Sequence, residues 1–181
     1  MGDAASQVFP AHGSGIGIGL IAGTVLAEQV AGFADPGGEA ATWSYQAAFQ
    51  RGFGGTLAAF DVMRRFNSAI GTDGVRELFR SGMFTPTVAR DGLEQRWSVP
   101  PAAEALTSLR RMAAAPRRGA PMAAALARAA AVRSLYRRHP AGPDEAALGR
   151  WSAATARLFG PAVTRASSSS TPSRPARGPV P

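Results

Sequence analysis

A mainly helical fold, one domain with a moderate core, is what this sequence predicts. Three observations carry that expectation. An apolar Gly- and Ala-rich run follows Gly15 and holds no charge until Glu28. From Thr42 onward, apolar and aromatic residues recur at the spacings of a helix face. Thr85-Pro86 and Pro100-Pro101 read as helix starts, while Gly82 and Gly160-Pro161 read as stops. A length of 181 residues with 45% hydrophobic content permits one such core, although much of that content is Ala.

The first stretch, Gly2 to Glu28, organises the rest. It reads GDAASQVFPAHGSGIGIGLIAGTVLAE: a tight turn carrying Asp3, a loop containing Pro10, then Gly13-Ser14-Gly15-Ile16 opening a helix. The first amides of a helix have no internal partners and carry partial positive charge, which suits an anion. Gly15, Gly19 and Gly23 fall four apart on one helix face. Glycine costs about 1 kcal/mol against alanine inside a helix, so this run predicts a closely packed neighbour.

GDAA, then Pro10, then Gly-x-Gly and a long helix resembles the second FAD-contacting motif of the flavoprotein oxidoreductases related to geranylgeranyl reductase and the aromatic-ring hydroxylases. The resemblance covers about the first thirty residues well and the next forty loosely. It implies that Asp3 accepts hydrogen bonds from the ribityl chain of FAD. It also implies that Pro10, Gly13, Ser14, Gly15 and Ile16 line the cofactor, with the helix start facing the pyrimidine edge of the flavin. The chain would then be the carboxy-terminal portion of an α/β, Rossmann-like FAD-binding flavoprotein. The amino-terminal dinucleotide-binding βαβ unit, which supplies most FAD contacts in that family, is missing: only Met1 precedes Gly2. Two origins fit the gap. Met1 is an internal methionine read as a start, or the gene is truncated or split and the amino-terminal part is encoded upstream.

Rival readings of the stretch fit less well. GxGxxG fails because Ile18 stands where the third Gly belongs, and the frame Gly17, Gly19, Ala22 lacks a preceding strand. A membrane span over residues 15–33 is interrupted by Glu28 and Gln29, leaving less than the usual ~18–20 uncharged residues. His12-Gly13-Ser14-Gly15 is faintly similar to a lipase oxyanion loop, but no GxSxG elbow exists. Met1-Gly2 with Ser6 matches the short myristoylation pattern. A buried Gly/Ala helix without a ligand is the plain alternative.

The remaining elements follow in order. Residues 31–41 are a loop with the turn cluster Asp35-Pro36-Gly37-Gly38. Residues 42–70 form a second long helix with an aromatic face of Trp43, Phe49, Phe53, Leu57 and Phe60; Gly52, Gly54 and Gly55 bend it or admit a close neighbour. Core is the expected role of that face, and Phe49, Phe53 and Phe60 are also candidates for a hydrophobic substrate channel. Thr72-Asp73-Gly74 starts a short helix with Val75, Leu78 and Phe79 inside and Gly82 at its end. Thr85-Pro86 starts another to about Trp97. Pro100-Pro101 opens a helix to about Ala115, with Leu106, Leu109 and Met112 on one side. Pro116 and Pro121 bracket a break. Residues 122–138 make an Ala-rich helix ended by His139-Pro140. Asp144 and Glu145 sit in the first turn of a last helix to about Phe159, where acids suit the dipole. The Ser/Pro/Arg tail from Arg165 is expected to be disordered. The organisation is therefore 1–34, FAD-contacting loop and glycine-rich helix; 35–164, substrate- or cap-side helices; and 165–181, tail.

Composition excludes several chemistries. Without cysteine there is no disulfide and no thiolate metal site, and the isolated His12 and His139 offer no metal motif, so none is expected. All 20 basic residues are Arg, so there is no Walker or Schiff-base lysine. The net charge of +8 is read as a solvated Arg-biased surface rather than a nucleic-acid site, since no groove-entering motif accompanies it. No secretory signal follows Met1, so the cytoplasm is the expected location, with peripheral membrane contact as an extension. No catalytic acid–base pair emerges; in the family resembled, the flavin carries the redox chemistry. The expected parent activity is flavin-mediated hydride transfer to or from a hydrophobic small molecule, and this chain alone is expected to be inactive. The alternative is a non-enzymatic Arg-rich helical protein acting at an interaction or membrane surface.

Overall fold

A computed structural model describes residues 2–11 and 13–159, apart from the side chains of Asp3 and Ala4. Among these residues the chain is helical throughout, with one isolated bridge between Phe9 and Ser14 in place of a sheet. The expected tail, residues 165–181, lies outside the described residues.

A 3-10 turn, Gly2–Ala5, precedes the seven helices found among the described residues: α1 (Ile16–Val30), α2 (Glu39–Phe49), α3 (Gly55–Arg80), α4 (Pro86–Leu93), α5 (Ala102–Ala114), α6 (Pro116–Tyr136) and α7 (Glu145–Phe159). Helices α3 and α6 form the spine; α5 and α7 pack on α6, and α1 packs on α2. The spine is antiparallel. Gly54 and Gly55, at the start of α3, lie against Arg133 and Tyr136 at the end of α6. Leu78, near the end of α3, clusters with Met122 at the start of α6. Between these ends, Ala58, Ala59, Val62 and Met63 meet Ala125, Ala129 and Val132. Small residues on both helices let the backbones approach. A Cβ on Gly55 would stand 3.0 Å from the Arg133 carbonyl oxygen, so the side-chain-free position belongs to this crossing.

Several sequence expectations are corrected here. The second helix does not run 42–70. It starts at Glu39, passes through a π turn at Gln50–Gly54, and resumes as α3. The glycines expected to bend it sit in and beside that turn. The short helix expected from Thr72 is present as the last part of α3, set off from the rest by a kink at Gly71, whose φ of 67° only glycine adopts freely. Helix α4 stops at Leu93 rather than Trp97, and Gln95 then takes a positive φ of 56°. No break separates Pro116 from Pro121. Pro116 opens α6 at its first position, where a missing N–H costs least, and α6 runs on through Pro121. Phe79, expected inside, is exposed, while Leu78 is buried; of the apolar side of α5, Met112 is buried and Leu106 and Leu109 are exposed. The spine buries only the inner edge of each stripe.

The capping signal at Thr85 behaves as read, and Asp144 turns out to cap as well. Thr85 Oγ1 accepts from the Val88 N–H at 3.3 Å, with Pro86 at the first helical position. Asp144 Oδ1 accepts from the Ala147 N–H at 2.9 Å at the start of α7. Helix α4 is further tied to α5 by Glu104, whose carboxylate accepts from Thr87 N at 3.2 Å and Thr87 Oγ1 at 2.7 Å. The Thr85 and Thr87 hydroxyls hold that carboxyl below its ordinary pKa.

Candidate functional site

A groove of about 1420 Å³ separates α4 from the spine. Helix α4 lies between two positive-φ residues, Gly82 (φ 66°) and Gln95, and is tied to Glu104 through Thr87 and to Ser98 through Asp91. Met63, Met122 and Leu126 form the wall contributed by the spine, and Phe60 and Trp97 also line the groove. Their rings meet edge to face at 5.4 Å. Methionine suits such a wall because its unbranched, polarisable side chain adapts to irregular shapes.

The α3 face of the groove changes character along its length. Arg64, Asn67, Ser68 and Thr72 come first, then Val75 and Phe79. Arg64 and Arg65 are both held by Asp61, through contacts of 2.6 and 2.8 Å. Asn67 Oδ1 is buried without a hydrogen-bond partner. From α4, Asp91 enters the same space; its Oδ2 accepts from Ser98 N and Ser98 Oγ, each at 2.7 Å.

The amino-terminal loop borders this groove. Gln7 pins it: Gly2 N donates to Gln7 Oε1 at 2.8 Å, and Gln7 Nε2 donates to the Tyr45 hydroxyl at 2.9 Å. Phe9 is fully buried and packs on Phe60 with ring centroids 4.6 Å apart. The loop then reverses tightly, with Phe9 N donating to Ser14 O at 3.0 Å and Gly13 N donating to Phe9 O at 2.8 Å. Gly13 has a φ of 70°, the left-handed value that this reversal needs.

The six residues expected to contact a cofactor fall as follows. Pro10 lines the groove together with Ala11. Gly13, Ser14, Gly15 and Ile16 form the return of the loop and the start of α1, beside the groove rather than in its wall. Asp3 lies in the 3-10 turn, and its side chain, like all of His12, lies outside the described residues. Of the three aromatic candidates for a substrate channel, only Phe60 lines the groove; Phe49 is buried in the core beneath α1 and Phe53 is at the surface. Sequence reasoning missed Asp91, Trp97 and the methionine wall, which come from three separate helices and a loop.

The expected close neighbour of the glycine face of α1 is not found among the described residues. A Cβ on Gly19 or Gly23 would meet nothing within 4 Å. Beside them Ile16 and Leu20 are 83% and 70% exposed. Helix α1 buries the opposite side, with Ile18 and Ala22 against α2 and Phe49.

A second polar centre lies where α2, α6 and α7 meet. His139 is 1% exposed, with its ring 5.9 Å from that of Trp43 and 4.8 Å from that of Trp151. Its Nδ1 lies 3.1 Å from Pro140 O; a carbonyl only accepts, so the proton sits on Nδ1. Nε2 is buried without a partner. Burial lowers the pKa of this imidazole; the bond to Pro140 O opposes the shift and the Arg51 charge adds to it. Such packing suits a neutral structural histidine, because both ring faces and one nitrogen are already enclosed.

Among the described residues no three His, Asp or Glu side chains gather to hold a metal, and no helix is long and apolar enough to cross a membrane. No family model, curated protein or solved structure matches this chain.

Proposed function

We propose that the groove binds an elongated apolar small molecule, and that the chain is the substrate-side, carboxy-terminal part of an FAD-dependent oxidoreductase. One observation carries this reading: Pro10 and Ala11, in the loop that resembles the FAD-contacting motif, line the same groove as Met63 and Trp97. A cofactor held by that loop would sit at the mouth of an apolar channel, the arrangement that hydride transfer to a hydrophobic substrate requires. The residues present fit one edge of a flavin. Gly15 stands at the start of α1 without a side chain to cap the helix, and Gly13 turns the backbone toward it. FAD, when bound, would supply the hydride chemistry. The chain would supply a helix start for an anionic ring edge, a wall that excludes water, and a fixed direction of approach for the substrate.

The chain alone is then expected to bind FAD more weakly than about 1 μM, because most contacts would come from a separate βαβ unit. A fluorescence titration of the purified chain tests this. Micromolar or tighter binding would overturn the claim that the unit is needed. Failure of every apolar probe to enter the groove would overturn the substrate-side reading.

A second reading has its own observation. Arg110, Arg117, Arg128, Arg137 and Arg138 are exposed and make no ion pair among the described residues. An Arg-rich surface of that kind suits peripheral contact with anionic lipid in the cytoplasm. Co-sedimentation with anionic liposomes that vanishes at high salt would favour it over the enzymatic reading.

A further inference from the structure

Asp91 is a carboxylate in an apolar groove with half of its bonding capacity unused. It is 8% exposed. Ser98 occupies Oδ2 through both its backbone N–H and its hydroxyl. Oδ1 has no hydrogen-bond partner among the described residues, and Asp91 is one of the residues that line the groove. No ion pair reaches either oxygen, and the cations of the groove wall, Arg64 and Arg65, are paired with Asp61 instead. A buried carboxylate without a counter-charge favours a ligand that brings one.

The surroundings indicate what completes it. Trp97 is adjacent to Ser98 in the chain and lines the same groove. The Phe60 ring reaches the neighbouring Gly92, where its Cε1 would lie 3.8 Å from an added Cβ. A carboxylate oxygen beside aromatic rings favours a cation: the ammonium cancels the charge, donates several hydrogen bonds and is attracted to ring faces. A hydroxyl would give one hydrogen bond and leave the charge. A second carboxylate would be repelled.

From this geometry we infer that the groove selects an apolar molecule carrying a protonated amine, seated on Asp91 Oδ1 beside Phe60 and Trp97. The apolar body lies along Met63, Met122 and Leu126. This inference rests on the groove being the ligand site.

The test compares dodecylamine, dodecanol and dodecanoate with the full chain, each below its micelle concentration, by calorimetry. The comparison is stringent, because the net charge of +8 attracts dodecanoate and repels dodecylamine in bulk. The amine is expected to bind about tenfold tighter than the alcohol, and dodecanoate weakest. Asp91→Asn, which keeps an acceptor for Ser98, should remove most of the amine's advantage and leave the alcohol within about twofold. Equal binding of amine and alcohol to the unaltered chain overturns the inference, whether or not the variant folds. So does an amine preference that survives in a folded Asp91→Asn. If neither amine nor alcohol binds, the groove is not the ligand site, and the failure belongs to the reading on which the inference rests.

Discussion

Arg51 holds the carbonyl oxygen of His139 with two donors, Nε at 2.9 Å and Nη2 at 2.6 Å. The two residues are 88 apart in sequence. The pair ties the π turn after α2 to the loop between α6 and α7, where Trp43 Nε1 also donates to Pro140 O at 3.3 Å. Replacing Arg51 with Met keeps the apolar stem and removes both charge-assisted bonds. Urea unfolding should show a loss of about 1–3 kcal/mol. A loss below about 0.5 kcal/mol would mean that water replaces the guanidinium without cost.

His139 should make stability depend on pH. Its folded pKa is lowered, chiefly by burial, so the unfolded chain takes up the proton first. The stability is therefore fully present above the ordinary value of about 6.5 and declines as pH falls below it toward the folded value. His139→Phe fills the same space without a titrating nitrogen. Thermal melts from pH 8 to pH 5 should fall less steeply for the variant. An unchanged slope would assign the acid sensitivity to other groups.

The glycines of the chain divide into two kinds that mutation can separate. At Gly19 and Gly23 an added methyl meets open space, so Ala is expected to stabilise by about 0.5–1 kcal/mol each. At Gly55 an added side chain would crowd Arg133 O and Tyr136 Cβ, and Gly55→Val should cost about 1–3 kcal/mol. Chemical denaturation reads both. Destabilisation by Gly19→Ala would show that another surface closes on α1 in solution.

Trp97 is a built-in reporter of the groove. Trp43 and Trp151, the other tryptophans, flank His139 instead. In a Trp43→Phe, Trp151→Phe background, an apolar ligand in the groove should blue-shift the remaining emission by displacing water. Absence of a shift at saturating dodecanol would mean that binding occurs elsewhere.

Much of the fold was legible in local chemistry. Thr85-Pro86 signals a helix start that the structure realises with a side-chain cap. His139-Pro140 ends α6 and Asp144 caps α7 as their types suggest. The boundaries that failed were those set by distant contacts. Gly54 and Gly55 are helix-weakening by propensity, yet the helix continues because Tyr136 and Arg133 need the room. Pro121 reads as a break, yet α6 runs through it, with Met122, Ala125 and Ala129 buried beyond it.

The candidate site was much less legible. Phe60 could be singled out from an aromatic stripe, and Pro10 from the amino-terminal motif. Asp91 could not, since a lone acid inside a helix ordinarily marks a solvated face.

By itself, the sequence determined that the chain is helical, where most helices begin and end, and that no cysteine or lysine chemistry is possible. These properties depend on residues within a turn or two of each other, so they are written locally. Only the tertiary structure decided that α3 and α6 pack antiparallel, that α4 stands off them to leave a groove, and that Asp91 and Trp97 enter it with Met63 and Met122. Those outcomes depend on which faces bury each other, and burial is a property of residues brought together from distant parts of the chain.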